Sequence, residues 1–174
     1  MPEREKIRIA VVSDTHGAAE EIKDFVSQQG PFDSIFHAGD LLPDLYEAAS
    51  KIQAQETNQE QPCSFFGVAG NCDAIETPKK ILVEIEDVRI VMVHGHLERV
   101  NEQLMQLKYT AQEENARIVA FGHSHIPANM EQDDILFFNP GSLTKPRGGN
   151  APTAGVLELK AGEILNAKII PLKA

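Results

Sequence analysis

Five times between residues 7 and 125, a short apolar run ends at a glycine accompanied by Asp, His or Asn. The runs are Ile7 to Val12, Ser34 to Ala38, Ser64 to Ala69, Val88 to Val93 and Arg117 to Phe121. The segments after them are Asp14-Thr15-His16-Gly17, Gly39-Asp40, Gly70-Asn71-Cys72-Asp73, His94-Gly95-His96 and Gly122-His123-Ser124-His125. Short, continuous, β-branched apolar runs read as strands buried on both faces, which is how parallel strands sit inside α/β folds. Ligands of open α/β sheets bind at the carboxyl ends of strands, so the five segments have one place to converge.

The intervening stretches fill in the architecture. Ala18 to Gln29 is helix-compatible, with Ile22, Phe25 and Val26 on one face and Gly30-Pro31 as the stop. Pro43 to Ile52 reads as a helix opened by proline. Gln53 to Pro62 is polar and Gln-rich, a surface loop. Lys80 to Glu86 and Val88 to Val93 pair around a tight turn at Glu86-Asp87. Val100, Leu104, Leu107 and Ala111 recur at helical spacing, predicting a helix over Glu98 to Asn115. Strands at Asn129 to Glu131, Ile135 to Phe138, Ala154 to Lys160 and Ile164 to Pro171 close the chain. The expectation is an α/β protein, βαβαβ in its first half. Two packed sheets carry helices on their outer faces, in one domain over residues 1–174.

Composition removes other classes. A chain of 174 residues with 42% hydrophobic and 24% charged residues is neither disordered nor fibrous. A net charge of −10 disfavours general nucleic-acid binding without excluding a local positive site. Cys63 and Cys72 make no disulfide framework. The charged start, Met1 to Lys6, runs straight into a strand, and no apolar run approaches the ~18 residues of a membrane span. The expected location is cytoplasmic, with no membrane partner.

The polar segments carry the chemistry. In extended backbone, residues i and i+2 face one side, so Asp14 with His16, His94 with His96, and His123 with His125 can each address one point. Imidazole with carboxylate suits divalent Mn, Fe, Zn or Ni. Taken singly, an Asp at a strand end is a turn or cap residue, and a lone His a hydrogen-bonded one. Together they are another matter: of six histidines, five lie in these segments, and the sixth, His37, stands just before Gly39-Asp40. His37 is assigned to structure rather than chemistry. No nucleophile elbow or P-loop is present.

The order D-x-H, G-D, G-N-x-D, H-G-H, G-H-x-H, followed by the Asn139-Pro140-Gly141-Ser142 turn, resembles the calcineurin-like metallophosphoesterases, in particular their small single-domain bacterial and archaeal phosphodiesterases. The resemblance implies a four-layer α-β-β-α sandwich of two mixed sheets. It implies one metal held by Asp14, His16, Asp40 and His125 and a second by Asp40, Asn71, His94 and His123, with Asp40 bridging. Manganese is the first expectation, with nickel, zinc or iron as alternatives. The implied reaction is attack on a small phosphate ester, a diester first, by a water held between the two cations.

Asn71 is a candidate for catalysis and for substrate contact. Larger phosphatases of the superfamily place a His directly after this Asn; here Cys72 stands there, a poor acid. His96 and Asp73 are the candidates to assist the leaving group, and Asp73 could instead orient a ligand histidine. Arg147, with Lys145, is the candidate phosphate contact, set against two solvated loop charges. Asn139 and Ser142 are read as turn-formers. Small family members often pair, so the resemblance leaves room for a homodimer or higher homo-oligomer, and the sequence itself leaves the oligomeric state open. The rival reading is a binding scaffold of the same fold, such as a retromer subunit with a degraded site; all seven ligand positions here are metal-competent, which argues against it. The H-x-H-x-D-H run of metallo-β-lactamase-type enzymes is missing.

Overall fold

The computed structural model describes residues 6–55, 62–74 and 76–173. In chain order its elements are β1 (Ile7–Val12), α1 (Ala19–Gln29), β2 (Ser34–His37), α2 (Pro43–Gln55), β3 (Ser64–Gly67), β4 (Lys80–Ile85), β5 (Val88–Val93), α3 (Met105–Glu113), β6 (Ile118–Ala120), β7 (Ala128–Gln132), β8 (Ile135–Asn139), β9 (Thr153–Lys160) and β10 (Glu163–Pro171). One sheet has the order β10-β9-β1-β2-β3, the other β4-β5-β6-β8-β7. In the first, β1, β2 and β3 are parallel and β9 and β10 antiparallel. In the second, β5, β6 and β8 are parallel and β4 and β7 antiparallel.

Alternation along the parallel strands builds the four layers. Ile9 and Val11 of β1, Ile90 and Met92 of β5, and Leu136 and Phe138 of β8 point between the sheets, where they form one core. Their neighbours point outward. Ala10 and Val12 pack with Ile22 and Phe25 of α1 and Leu45 and Ile52 of α2. Val91, Val93 and Phe137 pack with Leu107 and Ala111 of α3. Both faces of the central strands are therefore dry, which is why their sequences are continuously apolar. Edge strand β4 instead alternates, with Ile81, Val83 and Ile85 packed on the core. Each fully buried Ile, Leu or Phe contributes roughly 1.5–3 kcal/mol.

Two expectations are corrected. The helix predicted from Glu98 begins only at Met105. Residues 97–102 are turns: Val100 N–H donates to Gly95 O, and Arg99 has φ 55°. Val100 is buried with Leu107 and Ala111 all the same. The apolar spacing reported burial correctly, but burial does not require helical backbone. The predicted loop from Gln53 starts later, because α2 runs to Gln55; residues 56–61 lie outside the described residues. The turn at Glu86-Asp87 is as expected, with both residues left-handed at φ 52° and 62°, as a two-residue hairpin turn demands. Among the described residues no helix is long and apolar enough to cross a membrane.

Candidate metal centre

The loops that leave β1, β2, β3, β5 and β6 meet at one end of the sandwich. Asp14 N–H donates to Gly39 O at 2.9 Å within one sheet's loops and Gly122 N–H to His94 O at 2.8 Å within the other's, and His123 N–H donates across to Asp14 Oδ2 at 3.0 Å. Glycine is needed at the contacts: a Cβ on Gly70 would stand 2.1 Å from Asp40 Oδ1, and one on Gly122 1.9 Å from Ser13 Oγ. Asp14, His16, Asp40, His123 and His125 all have left-handed backbone, with φ between 47° and 67°. The extended i, i+2 geometry expected for Asp14/His16 and His123/His125 is therefore not how these side chains converge; tight turns bring them together. Asp and His tolerate this region better than most residues, yet such conformations persist only where the surroundings over-determine them.

Asp14, His16, Asp40 and His125 each offer one ligand atom, and these atoms lie within 4.8 Å of one another. His125 Nε2 is 3.2 Å from Asp14 Oδ1, and His16 Nε2 is 3.9 Å from Asp40 Oδ2. A second group adjoins on the far side of Asp40. His94 Nε2 stands 3.4 Å from Asp40 Oδ1, 3.7 Å from Asp14 Oδ1 and 3.2 Å from Asn71 Oδ1. The His123 ring lies 5.1 Å from that of His94. Asp14, Asp40, His94 and His125 are buried, His16 and His123 half-buried, and Asn71 exposed, so the cluster opens to solvent on one side.

The hydrogen bonds around the cluster use up protons and leave lone pairs facing inward. His94 Nδ1 lies 2.7 Å from Ala38 O and His125 Nδ1 2.7 Å from Lys145 O. A carbonyl only accepts, so each Nδ1 carries the proton, and Nε2 of the neutral ring presents a lone pair. Asp14 Oδ2 accepts Ser13 O–H and His123 N–H, and Asp40 Oδ1 accepts Cys72 N–H. Among the described residues four buried side-chain polar atoms lack a hydrogen-bond partner, and three are here: Asp14 Oδ1, His16 Nε2 and His96 Nδ1. Burial opposes charge on Asp14, but His125, His94 and Ser13 outweigh it and hold the carboxyl below its usual pKa. Burial opposes Asp40 likewise, yet His94 and the Cys72 N–H keep it well below the carboxylate range. Burial also works against a charged His94, and Asp40 and Asp14 overcome it, raising its pKa. Two buried carboxylates thus draw positive charge toward converging imidazole lone pairs, the donor set a divalent cation requires.

The other residues singled out in the sequence fall into place around this cluster. His96 borders it, its ring 5.4 Å from His94 and 6.1 Å from His123. Burial and then His94 and His123 lower its pKa. Among the described residues Asp73 hydrogen-bonds no histidine; its charge opposes the burial that lowers the pKa of His37. Its carboxylate accepts the N–H groups of Asp40, Gly70 and Leu42 at 2.8–2.9 Å, which fastens the β3 loop to the β2 loop. With both oxygens so occupied, neither predicted role for Asp73, proton donor or histidine orienter, matches its contacts. Asn139 and Ser142 do form turns, and also act as clamps: Asn139 Nδ2 donates to Gly122 O and Ser142 Oγ to Asp14 O. Cys72 is exposed. Lys145 and Arg147 are exposed at the rim; after burial, Lys145 is the next cause lowering the pKa of His16. His37 is fully buried, and burial lowers its pKa to about 4. Ser13, Thr15 and Asp44, all buried here, escape a sequence reading that looks for metal ligands.

A two-sheet α/β sandwich with Asp, Asn and His gathered at the strand ends defines a metallophosphoesterase. Residues 7–162 match the calcineurin-like phosphoesterase superfamily domain, and the chain belongs to this family. A probable metallophosphoesterase of Methanothermobacter thermautotrophicus is 37% identical over 169 residues, covering 93% of this chain and 91% of its own. Phosphodiesterase YfcE of Escherichia coli is 28% identical over 170 residues, 87% of this chain and 88% of its own. A predicted phosphoesterase of Streptococcus pneumoniae has a solved structure that superposes with a TM-score of 0.76 at 27% identity, covering 97% of this chain and 91% of its own.

Proposed function

We propose that this chain is a phosphodiesterase that works with two divalent cations, manganese first, on a small phosphate ester. In this reading Asp14, His16, Asp40 and His125 hold one cation. Asp40, Asn71, His94 and His123 hold the other. What carries the reading is the way the donors converge: Nδ1 of His94 and of His125 is committed to a backbone carbonyl, so each Nε2 faces Asp14 or Asp40, and Asp14 Oδ1 and His16 Nε2 have no hydrogen-bond partner. Bound cations supply Lewis acidity toward water and toward phosphate oxygens, so no protein nucleophile is needed.

The chain's own residues orient and exclude. Ala38 O and Lys145 O fix the ring orientation of His94 and His125. Ser13 and the His123 N–H occupy one oxygen of Asp14, leaving the other free. Asn71 and Arg147 on the open side meet the phosphate, Arg147 through its guanidinium. His96, beside the second group, is the candidate to assist the leaving group. Cys72 at the rim, with a thiol pKa raised by burial and by Asp40, stays protonated and hands on little acid strength, which favours esters with good leaving groups.

Purified protein should carry a divalent transition metal, hydrolyse bis-p-nitrophenyl phosphate and lose that activity on chelation. Metal-loaded protein inert toward diesters and monoesters alike would instead favour the scaffold reading.

A further inference from the structure

We propose that Asp44 is a positioning residue for the metal centre, acting through Thr15 and the backbone that follows His16. The inference rests on the metal reading above. Asp44 is the second residue of α2 and is 8% exposed. An acid in the first turn of a helix is ordinarily a solvated partner of the helix dipole. This one is buried and spends a single oxygen on another loop. Its Oδ2 accepts Thr15 O–H at 2.6 Å, Gly17 N–H at 2.8 Å and Ala18 N–H at 3.3 Å.

The proton directions are settled by the neighbours. Gly39 N–H donates to His37 Nδ1 at 3.1 Å, so His37 carries its proton on Nε2. That proton goes to Thr15 Oγ1 at 2.9 Å. Thr15 therefore gives its own hydrogen to a further acceptor, and Asp44 Oδ2 at 2.6 Å is much nearer than Asp40 O at 3.4 Å. The result is a one-way chain, His37 to Thr15 to Asp44, with the carboxylate as its terminal acceptor.

Thr15 stands between Asp14 and His16. Both neighbours are left-handed, at φ 52° and 47°, and Gly17 follows at 94°. Ala18, which precedes α1, has no side-chain cap of its own. Ser142 and Thr144 hold the carbonyls of Asp14 and Thr15; the Thr15 hydroxyl and the N–H groups after His16 are held by Asp44, four residues beyond Asp40, from α2. One buried carboxylate thereby fixes the loop of Asp14 and His16 relative to the loop of Asp40. The second group, His94, Asn71 and His123, makes none of these contacts. Losing the Asp44 link should therefore weaken one cation position and spare the other.

The test is calorimetric titration of the whole chain with Mn²⁺, together with visible spectra of the Co²⁺-loaded protein, for wild type, Asp44→Asn, Thr15→Val and Thr15→Ser. Wild type should bind two ions. Asp44→Asn and Thr15→Val should keep one at wild-type affinity and bind the other about 10- to 100-fold more weakly, as outer-shell changes do, with an altered Co²⁺ spectrum. Thr15→Ser, which keeps the hydroxyl, should restore both. Wild-type affinity and spectrum in Thr15→Val would overturn the proposal, as would a Thr15→Ser variant as impaired as Thr15→Val, since packing of the methyl would then be the cause. If Asp44→Asn does not fold, the two Thr15 variants decide by themselves. A wild-type chain that takes up no metal would instead remove the metal reading itself.

Discussion

His94 Nε2 lies 3.4 Å from Asp40 Oδ1, and the Nδ1 proton of that ring is already committed to Ala38 O. Asp40 has a histidine near each oxygen, His94 at Oδ1 and His16 at Oδ2, which is the basis for proposing it as the bridge. Asp40→Asn replaces a charged two-oxygen group by a neutral one with a single acceptor. Metal content by elemental analysis should fall, and turnover of a diester should drop by at least about 100-fold. Wild-type turnover in this variant would exclude Asp40 as the bridge.

Cations that bind only the folded chain stabilise it by mass action. At a free concentration about 100 times the Kd, the gain is about 2.7 kcal/mol. For a chain of this size that corresponds to a rise in Tm of about 5–10 °C. Thermal unfolding followed with and without a chelator, and along a Mn²⁺ titration, measures it. A Tm indifferent to both would count against ions seated in the cluster.

His37 gives the fold a pH dependence. Its folded pKa is lowered from 6.5 to about 4 by burial, so between those values the unfolded chain binds more protons. Stability is complete above pH 6.5 and is lost as the pH falls toward 4. Between pH 7 and pH 5 the loss due to this group is about 2 kcal/mol. Urea midpoints of chelated wild type and His37→Gln at the two pH values isolate it. An equal pH dependence in both proteins would show that His37 is not the group responsible.

Gly122 separates steric from conformational need. A Cβ there would stand 1.9 Å from Ser13 Oγ and 2.7 Å from Asp14 Oδ2, against the pair that orients Asp14. Gly122→Ala should cost about 1–3 kcal/mol by overpacking and weaken metal uptake. Gly162, at φ +82° with nothing within 4 Å, lies in the turn between β9 and β10. Gly162→Ala should cost about 1–2 kcal/mol for the left-handed backbone and leave metal uptake unchanged. Chemical denaturation with parallel metal titration compares the two.

Much of the fold was readable from local pattern. β1 and β5 announce themselves as apolar runs because both their faces are dry. The residues that gather at the cluster were readable too, because Asp, Asn and His crowding the ends of such strands have no structural use as a set. Where a pattern had two causes, the reading slipped. Val100 satisfied a helical periodicity from a turn anchored on Gly95. Asp14 and His16 share a cluster, as their spacing suggested, but through left-handed turns rather than extended backbone.

The positions of the strands along the chain and the chemical types at their ends were set by short-range rules: alternation, β-branching and the conformations glycine permits. The partner of each carboxylate was not. Asp73 serves Asp40 and Leu42, more than thirty residues earlier, and Asp44 serves Thr15, twenty-nine residues earlier. In the sequence both are ordinary acids at a strand end and a helix start. Hydrogen bonding acts over about 3 Å of space, whatever the separation along the chain, so only the packing of the two sheets decides which acids face the cluster and which brace it.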